Sequence, residues 1–116
     1  MIVIRTAIIM TVAGALALAS ANVLAEGNAA AGKVKSAVCQ SCHGVDGNST
    51  SPEFPRLAGQ YPDYLVHALK QYKSGARKNA IMNAFAAHLS SQDMEDIAAY
   101  FSSQKGLKVL RYNMPK

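Results

Sequence analysis

One pentapeptide constrains this chain more than anything else in its 116 residues: Cys39-Gln40-Ser41-Cys42-His43. A C-x-x-C-H run is the pattern for covalent attachment of a c-type haem. On a helix the two thiols stand about one turn apart, matching the two vinyl groups to which they add, and the adjacent imidazole reaches the iron from the proximal side. The motif occurs once. The expected cofactor is therefore one haem c, held by thioethers from Cys39 and Cys42, with His43 as an iron ligand.

Two other uses of the cysteine pair compete. A thioredoxin-like dithiol opens a helix after a β-strand within a βαβ pattern, whereas residues 26–38 are rich in Ala and Lys, which favour helix. A zinc site needs further Cys or His at close spacing, and His67 and His88 stand alone.

Residues 1–25 read as a secretory signal peptide, with the single charge Arg5, an apolar stretch from Ala7 to Leu18, and small residues ending at Val23-Leu24-Ala25. Cleavage there leaves residues 26–116 as a single-haem domain exported to the periplasm. The alternative is a retained anchor over Ile2 to Ala25. The 91 residues after Ala25 hold 39 apolar ones, of which 13 are alanines. So thin an apolar set in so short a chain calls for a large cofactor to fill the centre.

No segment alternates with period two, so the expected fold class is all-α, with helices and loops wrapped around the haem. A first helix is expected from Gly27 or Asn28, with Asn28 as N-cap, to Gln40. Gly, Pro, Asn and Ser make Gly44 to Gln60 a loop. Pro62 opens a second helix to about Ser74, closed by Gly75, with Leu65, Leu69 and Tyr72 inward and His67 on the solvated side. Arg77 to Leu89 has weak periodicity and reads as irregular. Ser90 and Asp93 then form a capping-box start to a helix with the stripe Met94, Ile97, Ala98 and Phe101, ended by Gly106. Lys105 to Lys116 is a basic tail.

The iron needs a second protein ligand for electron transfer, or an open distal site for binding gases or peroxide. Met94 lies in a helical stripe and reads as core, and Met114 sits near a terminus with little to bury. Met82, in the irregular segment, is the favoured ligand. His88, giving a bis-histidine haem, and an open site are the alternatives.

With these residues in place the chain resembles class I cytochrome c. Pro55-Arg56-Leu57-Ala58-Gly59-Gln60, Gly75-Ala76-Arg77-Lys78-Asn79 through Met82, and Leu89-Ser90-Ser91-Gln92-Asp93 to Tyr100 are similar to bacterial cytochromes c-553 and to one half of the dihaem periplasmic cytochromes. The resemblance spans nearly all of Gly27 to Gln104 and implies a small cytochrome c fold. It implies that the Pro55 carbonyl accepts the Nδ1 proton of His43, that Leu57 packs on the haem, and that the terminal helices cross near Gly32 and Tyr100. It makes Arg56 and Gln60 candidates for hydrogen bonds to the propionates, with surface solvation the alternative. The chain departs from the dihaem relatives in having one haem motif.

The function so implied is one-electron transfer, with redox proteins as donor and acceptor and no substrate altered. The alternatives are the electron-accepting subunit of a larger oxidoreductase and an open-site haem enzyme or gas sensor. The last needs polar distal groups, and Ala80 to Ala87 offers mainly Ala, Ile, Met and Phe. The excess of 12 Lys+Arg over 7 Asp+Glu, with Lys70, Lys73, Arg77 and Lys78 near the methionine side, suits an acidic docking partner or simply a solvated face. Basic residues are not interleaved with aromatics, which argues against nucleic acid. Membrane contact is expected only through partners or a retained leader.

Overall fold

The structure is a computed structural model that describes residues 26–107. The leader and Met114 lie outside the described residues. Among these residues there are five helices and no strands, the all-α architecture expected.

Helix α1 spans Ala29–Lys35, and the Asn28 side chain caps it by accepting from the Ala31 N–H at 3.0 Å. The single helix expected to end at Gln40 is instead two, because the chain bends at Ser36 before α2, Ala37–His43. Ser36 is fully buried, and its hydroxyl donates to the Lys33 carbonyl and accepts from Gln40 Nε2. A serine bonded back to the preceding turn competes with the helical ladder and bends the axis. The second helix runs three residues further than expected, so Cys39, Cys42 and His43 are all helical, with Cys39 and His43 four residues apart on one face.

Helix α3, Pro62–Ser74, starts with proline in its first turn and is closed by Gly75. Leu65 is buried and Leu69 packs on the core as expected, but Val66, outside the expected stripe, is buried too. The segment expected to be irregular contains α4, Ala80–Ala86, and this corrects the reading of Met82 as free of helical constraint. The signal was local: Asn79 caps the helix by accepting from the Ile81 and Met82 N–H groups at 3.1 and 3.0 Å. Helix α5, Ser91–Ser102, begins with the expected capping box of Ser90 and Asp93. It ends four residues before Gly106. That glycine instead lets the chain pass over Ala58, where a Cβ would come within 2.4 Å of the Ala58 Cβ, and the next N–H, of Leu107, donates to the Ala58 carbonyl.

The core forms where α5 lies against α1 and α3, from Leu65, Val66, Ile97, Ala98, Tyr100 and Phe101. Met94, only 2% exposed, joins the buried set, which is the core role expected of it. Helices α1 and α5 meet at Gly32, where a Cβ would stand 1.9 Å from the Asp96 carbonyl oxygen and 2.9 Å from the Tyr100 Cβ. Only glycine permits that approach. This is the crossing the resemblance implied.

Asp96, 3% exposed, ties the same helices together. Its carboxylate accepts from the Asn28 N–H at 2.8 Å, from Lys35 Nζ at 2.6 Å and from Gln92 Nε2 at 2.9 Å, while Lys35 also pairs with Asp93 at 2.8 Å. The Asn28 N–H and Lys35 hold the Asp96 carboxyl down at about 2, and Lys35 and Ser90 hold Asp93 well below the usual carboxylate range. A carboxylate depressed in the folded state stabilises above its unfolded value, about 3.9, and loses that contribution as pH falls through its folded one. Unfolding followed by far-ultraviolet circular dichroism should show stability declining from about pH 4 to about pH 2. Asp96→Asn should be less stable at neutral pH and flatten the decline, and an unchanged slope would remove Asp96 from this role.

Candidate cofactor site

A cavity with about 1020 Å³ of atom-free space, partly open to solvent, lies between α2, the loop after it, α4 and the buried ends of Ile97 and Phe101 on α5. One wall is built by the motif helix: Val38, Cys39, Cys42 and His43 all line it, and neither cysteine is in a disulfide. Burial pushes the Cys39 thiol upward, the opposite of the depressed thiol that a thioredoxin-type nucleophile needs.

His43 is buried, and its Nδ1 lies 2.8 Å from the Pro55 carbonyl oxygen. A carbonyl only accepts, so the proton sits on Nδ1 and the Nε2 lone pair is left for a metal. The bond also fixes the ring, as partners of metal-bound imidazoles do. Phe54 packs edge-on against the imidazole at 6.3 Å between centroids. The intervening loop is pinned where the Tyr100 hydroxyl donates to the Val45 carbonyl at 2.7 Å and where the Leu57 N–H donates to the Gly47 carbonyl at 2.8 Å.

A further wall is Tyr72 from α3 with Asn79, Ile81, Met82 and Phe85. Met82 therefore reaches the same cavity as His43, although from a helix and not from a loop. Asn79, the polar member of this wall, spends its side-chain oxygen on capping α4. His88 is exposed and off the cavity wall, and His67 is exposed beside Asp63, Lys70 and Glu95, solvated as expected.

Pro55 and Leu57 line the cavity, but Arg56 and Gln60 do not. Arg56 Nε donates to the Ser49 carbonyl at 3.2 Å, and the Gln60 side-chain oxygen accepts from the Tyr61 N–H at 2.9 Å. Sequence reasoning missed Val38, Ile81 and Phe85, which stand 55%, 54% and 45% exposed at the cavity rim. Their spacing carried a signal: Val38 lies one turn from Cys42, and Ile81 and Phe85 flank Met82 at i, i+4.

The donor set fits a c-type haem. Two unpaired thiols, an imidazole with a free Nε2 and a thioether face one cavity whose other walls are mainly apolar, the surroundings that haem c requires. Among the described residues no cluster of three His, Cys, Asp or Glu is arranged to hold a bare metal ion, which leaves the zinc alternative without ligands. The fold and this site define a haem-binding all-α domain. The cytochrome c family model matches residues 29–105, and the chain belongs to that family.

It is 53% identical over 81 residues to cytochrome c4 of Pseudomonas aeruginosa, covering 70% of this chain and 40% of that protein. It is 46% identical over 82 residues to cytochrome c-554(548) of Halomonas halodenitrificans, covering 68% of this chain and 99% of the relative. The fold superposes on the crystal structure of reduced recombinant cytochrome c4 from Pseudomonas stutzeri with a TM-score of 0.66 and 52% identity, over 70% of this chain and 47% of the other. The chain thus spans half or less of the length of the cytochromes c4 it matches.

Proposed function

We propose that this protein is a one-electron carrier of the bacterial periplasm, holding one haem c through Cys39 and Cys42 with His43 and Met82 as its axial ligands. The observation that carries this reading is the convergence of those four side chains on one cavity while Pro55 fixes the His43 proton on Nδ1. Haem iron supplies the change between ferric and ferrous states, and sulfur ligation favours the ferrous one and raises the potential. His43 and Met82 would both hold the iron in either state, and the mainly apolar lining would limit water beside it, so little would rearrange. Leu57, Ile97 and Phe101 provide the apolar wall, and Val38, Ile81 and Phe85 border the mouth through which an electron passes to a partner. Arg56 and Gln60 are engaged with backbone groups and are not part of the proposed set.

Residues 1–25 act as the export signal in this reading, and 26–116 form the haem domain. Among the described residues no helix is long and apolar enough to cross a membrane. Lys70, Lys73, Arg77 and Lys78 are all exposed and offer an acidic redox partner a complementary face. The test is spectroscopy of the exported protein in both oxidation states, with its N-terminus determined and carbon monoxide added to the reduced form. A c-type spectrum, a chain starting at Glu26, no binding of carbon monoxide, and partner exchange slowed by salt are expected. Avid binding of carbon monoxide would replace the carrier with an open-site haem protein.

A further inference from the structure

Helix α4 has little to hold it in place. It is seven residues long, too short to persist alone, it buries only Ala86, and among the described helices it packs against α3 alone. Yet it carries Met82. What fixes its position is polar. The Asn83 Nδ2 group donates to two carbonyls, that of Tyr72 in the last turn of α3 and that of Arg77 in the connecting loop, the latter at 2.9 Å. Its Oδ1 accepts from the Asn79 N–H at 2.8 Å. The amide orientation is unambiguous, since a flipped group would set its oxygen against two carbonyl oxygens. One side chain thus joins the end of α3, the loop and the start of α4. Tyr72 and Asn79, two of the residues so joined, line the cavity beside Met82.

We propose that Asn83 is the positioning residue for the distal ligand: its carboxamide brackets α4 against α3 and so holds the Met82 sulfur at the iron. This rests on the reading of Met82 as that ligand. Beyond the helix, Lys73 of α3 donates to the Leu89 carbonyl and Leu89 packs on the core, which ties down the chain after α4. Within α4 only Ala86 is buried, and Asn79 caps the N-terminus, so the end that carries Met82 is tied to α3 by Asn83. Removing the bracket loosens that end of the helix, and the sulfur leaves the iron more of the time.

The readout is imidazole binding to the ferric holoprotein, which competes with the sulfur and reports how often it is displaced. Met82→Ala, Asn83→Ala, Asn83→Asp and Ser90→Ala are compared, the last removing the α5 cap, whose bonds run to Asp93 and not to Asn83 or its partners. Losing both donors should tighten apparent imidazole affinity about tenfold or more, because each hydrogen bond contributes a factor of a few. Asn83→Asp keeps the acceptor for the Asn79 N–H but has no donor, so it should behave like Asn83→Ala. Ser90→Ala should lower the melting temperature with imidazole affinity unchanged. If Met82→Ala tightens imidazole binding but neither Asn83 variant exceeds Ser90→Ala, the bracket has no positioning role. If Met82→Ala itself changes nothing, Met82 is not the ligand and the role of Asn83 falls with it.

Discussion

Replacing Met82 with alanine should abolish the far-red sulfur-to-iron absorption band of the ferric protein, open the ferrous iron to carbon monoxide and lower the reduction potential. The drop should be a sizeable part of the roughly 0.8 V over which axial ligands set haem potentials. The chemistry comes from the environment: Met82 is a thioether on a wall otherwise formed by Ile81, Phe85 and Tyr72, with Asn79 already committed to the helix cap. Met94→Ala is the matched contrast. That residue is 2% exposed among the α5 core, so its truncation should cost roughly 2 to 5 kcal/mol of stability and leave the band in place. A Met82→Ala protein that keeps its band, or a folded Met94→Ala protein that loses it, would reassign the distal ligand.

Substituting both cysteines should have the larger effect on the molecule as a whole. Cys39→Ala or Cys42→Ala leaves one thioether and lowers the yield of holoprotein, whereas the double change ends covalent attachment, so that acid-acetone extraction removes all haem. The fold should suffer with it. The buried apolar set of the described residues is nine side chains, three of them alanines, and Val38, Ile81 and Phe85 surround a cavity that they cannot close over by themselves. A core of that size is marginal without a cofactor, and ligand binding to the folded state supplies the difference. Haem-free material should be largely unfolded by circular dichroism. A cooperative melt with full helix content in the double variant would contradict this. Free extraction of haem from the unmodified protein would contradict the thioether attachment itself.

Most of the proximal side was legible in the residues because it is written in short-range patterns. The C-x-x-C-H spacing, Asn28 and Ser90 as caps, Pro62 at a first turn and the Met94 to Phe101 stripe each act within one or two helical turns. The distal side was not, because α4 shows hardly any apolar face: only Ala86 is buried, and Ile81 and Phe85 face the cavity rim and not a protein core. A helix whose apolar residues serve a cofactor lacks the periodicity that packing against another helix imposes. Asn79 was the local clue, a capping residue three positions before Met82. The break at Ser36 and the early end of α5 were hidden for other reasons. A serine inside a run of helix formers does not announce that its hydroxyl will bond back to the Lys33 carbonyl, whereas Gly106 is used in a contact distant in sequence, the passage of the chain over Ala58.

The two walls of the cavity differ in how they are anchored, and that decides which side of the molecule gives way first. Cys39, Cys42 and His43 sit on a helix whose following loop is sewn to α5 by Tyr100 and, through Pro55, back to the imidazole. The chain around Met82 is tied to α3 by the Asn83 amide and, beyond the helix, by Lys73 at the Leu89 carbonyl, with only Ala86 of α4 buried. Local opening begins where few apolar contacts are buried, so the methionine side is the door of this fold and the motif helix is its post.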